Sequence, residues 1–209
     1  MIIDKSGSMA GSRWRDAQKA VEALAPGVVR ADPGTLRWYS RYESGNLPVR
    51  GLSPYRGVAR VDGVGMWFFS GPGQHVYYDG IKSAEQVREL FRRHSPGGTT
   101  DLAGVLELAI DQHWRRGGKP ETMLIITDGE PNDREAVKRV IIEAANTIER
   151  DEDLSLSFIQ IGNDKQAHEF LKELDSGLVG ARFDIVDEVT QEQMAGYSFS
   201  DFIMKSIYD

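Results

Sequence analysis

The sequence predicts an α/β fold, namely a doubly wound, Rossmann-like and mostly parallel sheet with one antiparallel edge strand and helices on both faces. Apolar runs alternate with helical patterns along most of the chain. The run from Met123 to Thr127 is apolar at four consecutive positions, which is typical of a central parallel strand covered on both faces. With a length of 209 residues, we expect 1–209 to form a single domain.

The spacing of apolar residues places the elements in chain order, starting with a very short first strand at Met1 to Ile3. Apolar residues three or four apart predict helices over 13–24, 83–91, 101–113, 134–150, 165–174 and 200–207. Pro26 and Gly27 are expected to end the first of these helices. Continuous apolar runs predict strands over 64–69, 74–78, 123–127, 154–161 and 182–186. We expect 64–69 to lie beside 123–127, with 74–78 antiparallel to it at the sheet edge.

The composition excludes several classes of protein. The chain has no cysteine, so it has no disulfide framework, thiolate metal site or thiol catalysis. Its net charge is −7, which argues against binding to a nucleic-acid backbone. No apolar run approaches the length of a membrane span, and no charged segment followed by an apolar one opens the chain. We therefore expect a cytoplasmic protein with no membrane insertion, and a monomer.

One segment, residues 31–61, does not follow the alternation of strands and helices and is interpreted as an insertion rich in Arg, Tyr, Gly and Pro. Its five arginines and two acidic residues give it a net charge of +3 in an otherwise acidic chain. Two roles remain open for it. The insertion packs against the body of the domain, or its aromatic residues and arginines contact a partner, since these residue types are enriched in binding hot spots.

The first turn of the chain carries oxygen side chains at alternate positions. Asp4, Ser6 and Ser8 follow the first strand directly, and Gly7 between the serines permits a tight turn. In a parallel sheet this is the ligand edge, because ligands bind outside the carboxyl ends of the strands. Hydroxyl and carboxylate oxygens suit a hard cation such as Mg²⁺.

Two further segments place oxygen atoms at the same edge. Asp128 follows the Met123–Thr127 strand, and Thr99 and Thr100 lie between a Gly-Gly pair and the helix predicted at 101–113. Three such segments in this order are a much more specific signal than any one of them alone.

Together these segments resemble the von Willebrand factor type A domain and its metal-ion-dependent adhesion site. The matching sequences are DKSGSM at 4–9, GGTTD at 97–101 and MLIITDGEPND at 123–133. The resemblance implies that Ser6 and Ser8 bind a cation directly and that Asp4 and Asp128 bind it mostly through water. One threonine joins them when a ligand is bound: the Gly-Gly pair favours Thr99, and the offsets of the following helix favour Thr100, which we assign.

The resemblance also implies a function in adhesion or protein binding, with Mg²⁺, or Ca²⁺ or Mn²⁺, as the cofactor. A cation with few direct carboxylate ligands still attracts an anionic oxygen, so an Asp or Glu of a protein partner completes its coordination. The expected function is therefore a metal-dependent protein-binding module, not an enzyme.

Simpler roles and other functions stay open at this point. Asp4 and the serines would also suit a helix cap, and Asp128 a strand-ending turn. Glu130, Asp133 and Asp101 are interpreted as loop or helix-start carboxylates. A Mg²⁺-dependent phosphohydrolase with Asp4 as nucleophile would lack a second carboxylate two residues on, where Ser6 stands. The remaining alternative is a structural domain with a stabilising metal.

Overall fold

Six strands form one sheet in the computed structural model, which describes residues 1–30 and 63–189, with residues 23–30 as backbone only. The strands are β1 (Ile2–Asp4), β2 (Val64–Phe69), β3 (His75–Ile81), β4 (Glu121–Thr127), β5 (Leu154–Gln160) and β6 (Val186–Val189). The helices are α1 (Ser12–Arg30), α2 (Ala84–Arg93), α3 (Leu102–Arg115), α4 (Arg134–Thr147) and α5 (Lys165–Asp175). The insertion at 31–61 and the helix predicted at 200–207 lie outside the described residues.

The sheet has the order β3-β2-β1-β4-β5-β6, and only β3 runs antiparallel, at the edge beside β2. The predicted doubly wound fold is therefore confirmed. The expectation that 64–69 lies beside 123–127 was wrong, because β1 separates β2 from β4. Ile2 and Ile3 explain the position of β1: they pack into opposite apolar clusters, so this strand is covered on both faces.

The two clusters lie on the two faces of the sheet. One joins the sheet to α3, α4 and α5, with Leu106, Val137 and Phe170 among its buried members. The other joins it to α1 and α2 through residues such as Val21 and Phe91. None of the helices in the described ranges has the length and apolar character needed to cross a bilayer.

Several element boundaries differ from the prediction, most of all those of α1 and β6. Helix α4 ends at Thr147 rather than at 150, and β3 continues to Ile81 rather than ending at 78. Helix α1 continues through Pro26 and Gly27 to Arg30. The fixed φ of proline is compatible with a helix, although an interior proline removes one backbone hydrogen bond and crowds the carbonyl four residues before it. Strand β6 begins at Val186 rather than at residue 182. The backbone N–H of Arg182 instead donates to Oδ1 of Asn146 at 2.8 Å, which holds this segment against α4.

Candidate metal centre

The candidate site lies at the carboxyl-terminal edge of the two central strands. Asp4 is the last residue of β1, and Asp128 directly follows β4. Asp4, Ser6 and Asp128 are each no more than 1% exposed. Parallel strands bring their carboxyl ends to one edge, so two acidic residues 124 positions apart in the sequence share one buried region.

A short turn after β1 brings the serines back over the strand ends. Residues Gly7–Met9 form a single 3₁₀ turn, and two backbone hydrogen bonds fasten it to the loop before α3. The N–H of Gly7 donates to the carbonyl of Gly98 at 3.0 Å, and the N–H of Gly97 donates to the carbonyl of Lys5 at 2.8 Å. The first and second sequence segments are therefore in direct contact.

The serine hydroxyls connect the turn to β4 through a continuous row of oxygen atoms. Ser6 Oγ lies 3.0 Å from Ser8 Oγ, and Ser8 Oγ donates to Asp128 Oδ1 at 2.8 Å. Neighbouring ligands of an octahedral Mg²⁺ are about 2.9 Å apart, given metal–oxygen distances of about 2.0–2.1 Å. The donor set is all oxygen, and these separations, which are also those of ordinary hydrogen bonds, are compatible with the ligands of a small hard cation.

The carboxyl group of Asp4 is fixed by two hydrogen bonds. Its Oδ1 accepts from the backbone N–H of Ser6 at 2.7 Å, and its Oδ2 accepts from Thr127 Oγ1 at 2.7 Å. Burial raises the pKa of Asp4 to about 6; the bonds from Thr127 and Ser6 lower it, and the nearby charge of Asp128 raises it. A buried carboxylate with a neighbouring like charge is an environment that a cation would stabilise.

The two threonines have different surroundings. Thr100 is 7% exposed, whereas Thr99 is exposed. Asn132 holds this loop: its Nδ2 donates to Thr99 Oγ1 at 3.1 Å, its Oδ1 accepts from the N–H of Thr100 at 2.9 Å, and its N–H donates to the Thr100 carbonyl at 2.8 Å. The hydroxyl of Thr99 is thus engaged by Asn132, and Thr100 is the more buried of the pair.

An arginine that the sequence analysis did not single out contacts the site. Arg13 Nη1 lies 2.6 Å from Asp128 Oδ2 and 3.2 Å from the Ser8 carbonyl. In the sequence, Arg13 stands out only as the first residue of the helix predicted at 13–24. No local signal would have found it, because its contact with Asp128 joins positions 115 residues apart.

The structure places the other polar residues of these loops in simpler roles. Asp101 and Asp133 are the N-caps of α3 and α4, accepting from the N–H groups of Gly104 and Ala136. Glu130 pairs with Arg134, and Lys5 Nζ donates to Ser70 Oγ at 2.8 Å rather than to a site carboxylate. Within 1–30 and 63–189 there is no group of three or more His, Asp or Glu side chains placed to hold a metal.

The fold and this edge define a class of protein, and a comparison of sequences identifies it. A family model of the von Willebrand factor type A domain matches residues 64–194, more than half of the chain. The chain therefore belongs to this family. The match includes both threonines and Asp128, and it begins after the turn that carries Asp4, Ser6 and Ser8. A search of curated protein sequences found no significant match.

Solved structures show the same fold. "von Willebrand factor type A from Catenulispora acidiphila" aligns with a TM-score of 0.55 and 16% identity, over 99% of this chain and 40% of that chain. The manganese-loaded TRAP protein of Plasmodium vivax aligns with a TM-score of 0.53 and 17% identity, over 99% of this chain and 71% of that one. The chain thus spans less than half the length of the Catenulispora protein.

Proposed function

We propose that this chain is a metal-dependent protein-binding module. Asp4, Ser6, Ser8, Thr100 and Asp128 hold a divalent cation, Mg²⁺ or alternatively Mn²⁺ or Ca²⁺, that binds a carboxylate of a protein partner. The observation that carries the proposal is the row of oxygen atoms from Ser6 Oγ through Ser8 Oγ to Asp128 Oδ1, with steps of 3.0 and 2.8 Å. Domains of this family typically mediate protein–protein interactions and commonly bind a divalent cation.

Each site residue has a distinct task in this proposal. Ser6 and Ser8 offer neutral hydroxyl oxygens, and Asp4 and Asp128 supply the negative charge. Hydrogen bonds from Thr127 Oγ1 and from the N–H of Ser6 fix the orientation of the Asp4 carboxylate. The bound cation supplies a positive centre that attracts one more anionic oxygen. Because only two carboxylates are present, the chain leaves that attraction unsatisfied for a partner's Asp or Glu.

A protein-binding role is favoured over phosphoester hydrolysis by two contacts. The position two residues after Asp4 holds Ser6, whose hydroxyl belongs to the oxygen row. Lys5, the nearest lysine in the sequence, donates to Ser70 Oγ at 2.8 Å. The proposal therefore assigns no catalytic residue.

The test uses matched peptides as partners. We would screen a pool of extended peptides that each carry one Asp or Glu. Each peptide that binds is then tested again with Asn in place of its Asp, or Gln in place of its Glu. We expect peptide binding in Mg²⁺ that is lost when the carboxylate is replaced by an amide, when EDTA is added, and in the variant Asp4→Ala. The control variant Asp111→Ala, on the exposed side of α3, should bind normally. Binding that persists in EDTA, or that ignores the exchange of carboxylate for amide, would contradict the proposal.

A further inference from the structure

The buried carboxylate of Asp128 already has a cationic partner from the chain itself. Arg13 Nη1 lies 2.6 Å from Asp128 Oδ2, and the two side chains are 35% and 0% exposed, respectively. Asp128 Oδ1 meanwhile accepts from Ser8 Oγ at 2.8 Å. One carboxylate oxygen therefore faces the candidate metal ligands and the other faces a guanidinium.

The surroundings of Arg13 hold its guanidinium in place. Its Nη1 also donates to the Ser8 carbonyl at 3.2 Å. On its other side, a Cβ built on Gly162 would lie 3.0 Å from Arg13 Nε, so the loop after β5 approaches the guanidinium closely. Gly162 has a φ of +90°, a conformation that glycine adopts without strain. Arg13 thus lies between the loops that follow β1, β4 and β5, and its side chain is 35% exposed, whereas the side chains of a surface ion pair are freely exposed.

We infer that Arg13 is a built-in counter-ion of this site, which neutralises Asp128 when no metal is bound and weakens metal binding when no partner is present. The inference rests on the proposed function. A divalent cation with Asp4 and Asp128 would be neutral overall, and Arg13 adds one positive charge. The loaded site therefore carries a net positive charge that a partner's carboxylate removes, so metal and acidic partner each raise the affinity for the other.

The charge of Arg13 predicts the direction of a mutational effect. We expect Arg13→Gln to raise the affinity for Mg²⁺ alone about tenfold, since it removes a positive charge that contacts the candidate metal ligand Asp128. Arg13→Lys keeps the charge and should bind Mg²⁺ like the wild type. Arg15→Gln makes the same change of charge at an exposed position of α1 and serves as the matched control. Isothermal titration of each variant with Mg²⁺ gives the affinities.

A second readout needs no metal. In EDTA, Arg13→Gln should melt about 3–6 °C below the wild type, because it leaves the buried Asp128 without its cation. Arg15→Gln should melt within about 1 °C of the wild type. Adding Mg²⁺ should then raise the melting temperature of Arg13→Gln by more than that of the wild type, since the tighter site is more stabilised at equal metal concentration.

The outcomes separate the inference from the proposed function. If the wild type binds Mg²⁺ and Arg13→Gln binds it equally or more weakly, the counter-ion role is overturned and the metal site stands. Equal melting of Arg13→Gln and Arg15→Gln in EDTA would overturn it as well. If neither the wild type nor Arg13→Gln binds Mg²⁺, the proposed function itself is contradicted, and the inference with it.

Discussion

Thr127 is the residue that orients Asp4 from the neighbouring strand. Thr127 is 1% exposed, and its hydroxyl donates to Asp4 Oδ2 at 2.7 Å. Thr127→Val removes the hydrogen bond and keeps the shape, so we expect Mg²⁺ affinity to fall about tenfold, the lower end of effects at metal-orienting partners. Thr122→Val, the same change near the start of β4, should leave affinity unchanged. Mg²⁺ titration of both variants is the measurement, and equal affinities would show that Thr127 has no orienting role.

We expect His94 to make the stability of the fold depend on pH. Its ring stacks on Phe68 with centroids 4.5 Å apart, and its Nε2 lies 3.1 Å from Tyr78 Oη. Burial, with the positive charges of Lys5 and Arg93, holds the pKa of His94 below its usual range. The neutral ring therefore stabilises the folded state above the unfolded pKa of about 6.5, and this stability is lost as the pH falls through the folded pKa.

The matching measurement is urea unfolding of the wild type and His94→Gln at pH 7.5 and pH 5. The wild type should lose more unfolding free energy between the two pH values than the variant. The comparison between variants cancels the other groups that titrate in this range, Asp4 included. Equal losses would contradict the role given to His94.

At the residue scale the sequence was informative where a residue type and a strand end coincide. Asp4, Ser6, Ser8 and Asp128 were selected on that basis, and the structure brings all four together. Arg13 and Thr127 were not selected. Their contacts join positions 115 and 123 residues apart, and no local pattern carries that information.

At the scale of elements, those helices and strands could be predicted whose position depends on the residues within them. Strand β4 was predicted because burial on both faces produces a continuous apolar run. The end of α1 was missed because Pro26 lowers helix stability without preventing helical φ. The place of β1 between β2 and β4 was missed because strand order depends on contacts between distant segments rather than on periodicity.

The start of α4 gives a direct test of one loop carboxylate. Asp133 caps this helix by accepting from the N–H of Ala136 at 2.9 Å. Asp133→Ala should lower the unfolding free energy by about 1 kcal/mol, or about 2–4 °C in melting temperature, while Mg²⁺ affinity stays unchanged. Asp133→Asn, which retains a capping oxygen, should melt close to the wild type. A loss of Mg²⁺ binding in Asp133→Ala would instead make this carboxylate part of the metal site.

At the scale of the whole molecule, the role of the insertion at 31–61 remains a hypothesis, as does a single domain over 1–209. We propose that the insertion selects the partner, because its net charge of +3 complements an acidic ligand. Replacing Tyr39, Arg41 and Tyr42 together by alanine should abolish binding of a peptide identified in the screen, with Mg²⁺ affinity and melting temperature retained. Normal peptide binding by this variant, or its unfolding, would contradict the hypothesis.

The central claim is that the two serine hydroxyls, with the carboxylates beside them, hold one divalent cation. Isothermal titration with Mg²⁺ tests it most directly, on the wild type, on the double variant Ser6→Ala with Ser8→Ala, and on Ser12→Ala as the exposed control on α1. We predict one Mg²⁺ per chain for the wild type and for Ser12→Ala, and no measurable binding for the double variant. A double variant that binds one Mg²⁺ with wild-type affinity would contradict the account.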